Sequence, residues 1–182
     1  MRLGAVNPTA RAMLEIIPET PQKHAAAIER LYDKTFGPGH FAKTAERLRE
    51  GTVSLPALSR VALQDGKLIG ACRLWPIEVG AARVAAIFVG PVAIDPDFQG
   101  QRLGLSVTGE ALEAATKAGW GAAIIVGAPD YFGELGFEAV KPGRLTLPGP
   151  QDPSRIMVRK LAGDPDGLNG IVQVPVNPTA FL

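Results

Sequence analysis

The stretch from Ala82 to Ile94 constrains the fold more than any other part of the chain, because Arg83 is its only charged residue. A strand this apolar is covered on both faces and lies inside a sheet. The turn Asp95-Pro96-Asp97 follows, then a loop with glycines, then Leu103, Val107, Ala111, Ala114 and Ala118 at helical spacing, with Gly119 at the C′ position. The short apolar segment Ala122–Val126 completes a strand–turn–helix–strand unit, whose two strands should run parallel.

Gly90-Pro91 interrupts the apolar run. Proline donates nothing to a ladder and glycine weakens a strand, so the dipeptide marks either a bulge or the strand's end. Val92-Ala93-Ile94 resumes the strand pattern beyond it, which favours the bulge.

Upstream, Met13–Ile17 reads as a short strand, and residues 1–12 carry no periodicity and read as an arm. Thr20-Pro21 supplies an N-cap and a first-turn proline for a helix reaching Phe36, stopped by Gly37-Pro38-Gly39. A second helix is expected over Lys43–Arg49, closed by Gly51. Ser59–Leu63 and Lys67–Pro76 flank the hairpin signal Asp65-Gly66, and with the Ala82–Ile94 run they make a three-stranded antiparallel meander. Downstream, Asp130–Leu135 reads as a helical turn, Gly136-Phe137 as the start of a strand, 141–153 as a loop and Ile156–Leu161 as a strand. The organisation expected is one domain over 13–162, with 163–182 as an extension packing on it or trailing from it.

Composition removes several functions. A formal net charge of +1, with 19 basic and 18 acidic residues and no same-sign run, gives no nucleic-acid or membrane footprint. No apolar stretch approaches the ~20 residues of a membrane span. One cysteine, Cys72, excludes an internal disulfide and a cysteine zinc cluster, and two histidines make a metal site unexpected. Together these point to a cytoplasmic protein without a metal. Cys72, in mid-strand, reads as a small buried hydrophobe.

The segment Gln99-Gly100-Gln101-Arg102-Leu103-Gly104 joins the turn after a buried strand to the N-terminus of a helix. Unpaired first-turn amides and the helix dipole favour an anion there, and glycine lets the backbone approach a phosphate. Arg102 can add a charge-assisted contact. The spacing fits neither a Walker loop nor a Gly-x-Gly-x-x-Gly fingerprint.

These residues resemble the GCN5-related N-acetyltransferases (GNAT), whose pattern is Gln/Arg-x-x-Gly-x-Gly/Ala after a strand ending in an apolar triplet. Here the triplet is Val92-Ala93-Ile94, and a second family feature, an aromatic residue shortly before Leu/Phe-Gly-Phe, is matched by Tyr131 to Phe137. The resemblance runs from about Leu14 to Leu161. It implies a mixed α/β fold with a central, mainly antiparallel sheet flanked by helices, one parallel strand pair being splayed at the cofactor cleft. It also implies that acetyl-CoA is the cosubstrate, that Val92, Ala93 and Ile94 pair with its pantetheine arm, and that its pyrophosphate lies over Gln99, Gly100, Gln101, Arg102, Leu103 and Gly104. The activity implied is transfer of an acetyl group to an amine by a monomer or homodimer, with a non-catalytic acyl-CoA sensor on the same fold as the alternative.

The family's middle glycine is Arg102 here, a substitution compatible with the cradle if its φ stays negative. The family's usual tyrosine maps onto Phe132, which cannot donate a proton and is expected as an apolar wall beside the pantetheine. The adjacent Tyr131 stands in as general acid or packs as a half-buried aromatic. For the base, Glu78, His40, Glu134 and Asp130 are candidates; Asp130 also suits the N-cap of the short helix after it.

Overall fold

The computed structural model describes residues 13–37, 44–149 and 152–182. His40, the arm 1–12 and Lys43 lie outside the described residues.

Nine strands and three helices make up the regular structure of the described residues: β1 Leu14–Pro18, α1 Pro21–Phe36, β2 Arg60–Gln64, β3 Lys67–Val79, β4 Val84–Ile94, α2 Leu103–Lys117, β5 Ala122–Val126, α3 Pro129–Phe132, β6 Glu138–Ala139, β7 Leu145–Thr146, β8 Ile156–Lys160 and β9 Gly170–Gln173. The main sheet runs β1-β2-β3-β4-β5-β8-β6, antiparallel except for β4 against β5. The order follows from the connections: short turns join β2, β3 and β4, and only α2 is long enough to return the chain for a parallel partner.

Packing explains why the sheet reads as it does. On one face Cys72, Leu74, Ile87 and Val89 meet Leu103, Val107, Ala111 and Leu112 of α2. On the other, Val61, Ala71 and Ala93 meet Ile28, Leu31 and Tyr32 of α1. The Cys72 thiol is fully buried, and burial pushes its pKa up to about 12, so it is an inert core group.

Several expectations are corrected. The segment around Lys43–Arg49 is a 3-10 helix over Thr44–Leu48. The loop over 141–153 contains β7, which pairs in parallel with β9, and β9 in turn pairs with the end of β3. Both strands are too short to show a period in sequence. The buried face of α2 ends on Leu112 and Ala115, while Ala118 is exposed beyond the helix. In the extension, Phe181 lies against Trp120 with ring centroids 5.4 Å apart.

Candidate functional site

The bulge expected at Gly90-Pro91 is present. Leu74 pairs with Val89 and Cys72 with Val92, so Gly90 and Pro91 together oppose the single residue Arg73. The bulge carbonyl of Gly90 accepts a hydrogen bond from Trp75 Nε1 at 2.7 Å. On its other side β4 pairs with β5 only at Ile87–Ala123 and Phe88–Ile124, although both strands continue. The two strands therefore part beyond Phe88.

The parted edge has a defined polarity. Asp95 donates its amide to the Ile69 carbonyl at 2.8 Å, so Asp95 and, by alternation, Ala93 turn their peptide groups toward β3. Val92 and Ile94 turn theirs away, into the gap. The Ile94 carbonyl is met there by Gln99 Nε2 at 3.2 Å and Thr35 Oγ1 at 3.4 Å. The edge at Val92 is open for an extended ligand to pair with, as an added strand would.

At the end of this edge lies a cleft of about 330 Å³, lined by Ile94, Phe98, Gln99, Gly100, Arg102, Leu103, Gly104, Leu105, Tyr131 and Glu134. Gly100 and Arg102 both have positive φ, +80° and +59°, and the first turn of α2 begins directly after them. The negative φ on which the fit of Arg102 to the cradle was conditional is not found: the chain needs a left-handed residue at this N-cap to turn from the loop into the helix. An arginine there carries strain of order 1–2 kcal/mol. First-turn amides without intrahelical partners, at the positive end of a helix dipole, form a cradle for a phosphate. Gly104 is the close-approach point, because a Cβ there would lie 2.4 Å from Tyr131 Oη and 3.5 Å from Ile94 Cγ1.

The Arg102 guanidinium makes a forked ion pair with Glu134, Nη1 to Oε1 at 3.2 Å and Nη2 to Oε2. The hydrogen bonds from Arg102 hold its pKa above the ordinary value. The pair spans the cleft between the α2 N-terminus and the Gly133–Leu135 turn. Glu134 is therefore held by the Arg102 guanidinium.

Tyr131 and Phe132 pack edge to face, with ring centroids 4.9 Å apart. The Tyr131 hydroxyl lies over Gly104 in the first turn of α2; burial raises the phenol's pKa above its ordinary value. Phe132 lies against Gly127, where a Cβ would fall 2.4 Å from its ring, and edge-on to Phe137. Phe132 does not line the cleft. It packs instead on the core face, between Tyr131 and Phe137.

The remaining base candidates stand apart. Glu78 is ion-paired to Arg83 and pairs with Ala85, five residues from Gly90 and so roughly 17 Å along the strand. Asp130 is exposed, and the N-cap of α3 is Ala128, so the capping role expected of Asp130 is corrected. Proline at the first helical position sets the cap at Ala128, two residues earlier. Among the described residues no group of three or more histidine, cysteine, aspartate or glutamate side chains can hold a metal.

Two contacts had no signal in sequence. Lys34 of α1 binds Asp95 Oδ1 at 2.6 Å and Asp97 Oδ2 at 3.3 Å, fixing the turn that launches the cradle. The hydrogen bond from Lys34 holds the Asp95 carboxyl below its ordinary pKa. Arg73, opposite the bulge, binds Glu19 and Glu29 and lies over the Tyr32 ring, 5.8 Å from its centroid.

Comparison with known proteins gives a consistent pattern. A family model described as acetyltransferase (GNAT) family matches residues 25–137. The N-acetyltransferase YhbS of Escherichia coli K12 is 28% identical over 151 residues, covering 82% of this chain and 89% of that protein. The crystal structure of Escherichia coli YhbS in complex with CoA superposes with a TM-score of 0.74 at 27% identity over 94% of each chain. A GNAT family acetyltransferase from Brucella melitensis in complex with acetyl-CoA gives 0.68 at 25% identity, covering 90% of this chain and 97% of that one.

Proposed function

Because the chain belongs to the acetyltransferase (GNAT) family, we propose that it binds acetyl-CoA in the Ile94–Tyr131 cleft and transfers the acetyl group to a primary amine by direct attack in a ternary complex. The observation that carries the reading is the continuity of two features: a strand edge open at Val92, with the Ile94 carbonyl held by Gln99 and Thr35, runs into an amide cradle at Gly100–Gly104. An arm that pairs like a strand and ends in a phosphate fits both. Val92, Ala93 and Ile94 take the pantetheine arm. Gln99, Gly100, Gln101, Arg102, Leu103 and Gly104 take the pyrophosphate, with Gln99 holding the Ile94 carbonyl in line.

In the reaction the amine nitrogen bonds to the thioester carbonyl carbon, the C–S bond breaks, and the proton released from nitrogen passes through solvent to the departing coenzyme A thiolate, giving the amide and the free thiol. Phe132 has no proton to give that thiolate. Among the described residues Tyr131 has the only hydroxyl in the cleft lining. Its place over Gly104 at the first turn of α2 supports a hydrogen bond from it to the cofactor. Tyr131→Phe should then raise KM for acetyl-CoA while the pH profile of kcat keeps its shape; loss of the limb at high pH would instead assign it as the general acid.

Calorimetric titration with acetyl-CoA tests the binding, and no heat at millimolar cofactor would sink the reading. Thiol release with a panel of amines tests transfer. A second reading, a non-catalytic acyl-CoA sensor, is favoured by Phe132 at the tyrosine position, and binding without turnover on any amine would establish it. The single buried Cys72 supports a reducing, cytoplasmic setting. No described helix is long and apolar enough to cross a membrane.

A further inference from the structure

Alternation along β4 sends neighbouring residues to opposite faces of the sheet. Ile94 lines the cofactor cleft; Asp95 lines a different groove of about 610 Å³, between α1 and the β2–β3 hairpin. This volume is within the range of small-molecule sites.

The groove is strongly cationic. Lys23, Arg30 and Lys34 fall on one face of α1 and meet Lys67 from the hairpin. Lys23 to Lys34 spans about 16 Å of helix. Among the described residues Asp95 is the only acidic one in the lining, and Lys34 already neutralises it. Lys23, Arg30 and Lys67 have no ion-pair partner among the described residues.

One polar wall residue is fixed rather than solvated. His24 is 9% exposed, and its Nδ1 accepts the Thr20 amide at 3.0 Å. That bond leaves the ring hydrogen on Nε2, so a lining histidine presents a donor in a set tautomer. Leu31 and Leu68 supply apolar wall between the charges. Three unneutralised cations and an oriented N–H donor around one concavity suit a ligand with several anionic oxygens.

We propose that the groove between α1 and the β2–β3 hairpin is a second ligand site, separate from the cofactor cleft, for a small polyanion bearing phosphate or carboxylate groups. Lys23, Arg30 and Lys67 neutralise it, and His24 Nε2 donates to one of its oxygens. Lys34 remains on Asp95 and screens that carboxylate from the ligand.

The test is calorimetric titration of the full chain with inorganic tripolyphosphate at low salt, with coenzyme A saturating the other cleft and again without it. Without coenzyme A, a second equivalent at the vacant pyrophosphate cradle adds to the one in the groove; with coenzyme A bound, one saturable equivalent is expected, that of the groove. The triple variant Lys23→Ala/Arg30→Ala/Lys67→Ala should weaken it by about tenfold or more, the scale of losing one charged hydrogen bond or a few screened charges. Its affinity for coenzyme A should stay unchanged, since none of the three residues lines that cleft. Citrate in place of tripolyphosphate separates a carboxylate ligand from a phosphate one. Binding that disappears when coenzyme A is present, binding indifferent to the triple substitution, or failure of both anions to bind would overturn the proposal.

Discussion

Gly104→Leu is expected to weaken acetyl-CoA binding by roughly 100-fold while the protein stays folded. Gly104 lies in the first turn of α2 with ordinary helical φ, so leucine is accepted by the backbone and raises helix propensity by up to about 1 kcal/mol. The obstacle is lateral. Its Cβ would stand 2.4 Å from Tyr131 Oη, and the branched end would project into the space between that ring and Ile94. Tyr131 is partly exposed and can swing away, which spares the fold but takes the hydroxyl out of the cleft. The side chain then covers the amides meant for the phosphate. Losing two charge-assisted hydrogen bonds costs about 3 kcal/mol, hence the factor of ~100. Titration calorimetry with a thermal melt of the same sample measures both halves. Undiminished affinity would mean that the pyrophosphate lies elsewhere.

Arg73→Ala is expected to carry the largest loss of stability, about 3–5 kcal/mol, because it strands a buried carboxylate. The Glu19 side chain is 2% exposed and takes three contacts from Arg73, the shortest 2.8 Å from Nη2, while Nη1 holds Glu29 at 2.9 Å. The arginine is itself mostly buried, at 12% exposure, so solvent screens the pair little. Burial alone would lower the guanidinium pKa, but the hydrogen bonds it donates to Glu19 and Glu29 outweigh it and hold it above its ordinary value. For a chain of this size the loss corresponds to a Tm lower by roughly 6–20 °C. The double variant Arg73→Ala/Glu19→Gln should recover much of it, since the amide removes the unpaired charge. A melt of Arg73→Ala within 2 °C of wild type, a shift worth only about 1 kcal/mol or less, would show that water reaches Glu19. Arg73 also faces the Gly90-Pro91 bulge, so its network ties α1 and the end of β1 to the strand that opens the cofactor gap.

The amino-acid sequence by itself determined the elements whose cause is local. The apolar run ending at Ile94, the helix from Leu103, the hairpin at Asp65-Gly66 and the bulge at Gly90-Pro91 each follow from side-chain periodicity or from what glycine and proline do to a ladder. The phosphate cradle belongs with them, because a loop feeding a helix N-terminus is built from consecutive residues. What only the tertiary structure decided depends on partners far apart in the chain. Glu134 meets Arg102 across 32 residues, Lys34 meets Asp95 across 61, and Arg73 meets Glu19 across 54. No periodicity encodes such pairs. The same holds for Tyr131 and Phe132: their rings pack edge to face 4.9 Å apart, yet only Tyr131 lines the cleft, because Gly127 leaves room for one ring and the α2 N-terminus for the other. The left-handed φ of Arg102 was equally invisible, since an arginine gives no sign that packing will hold it where glycine rests without strain.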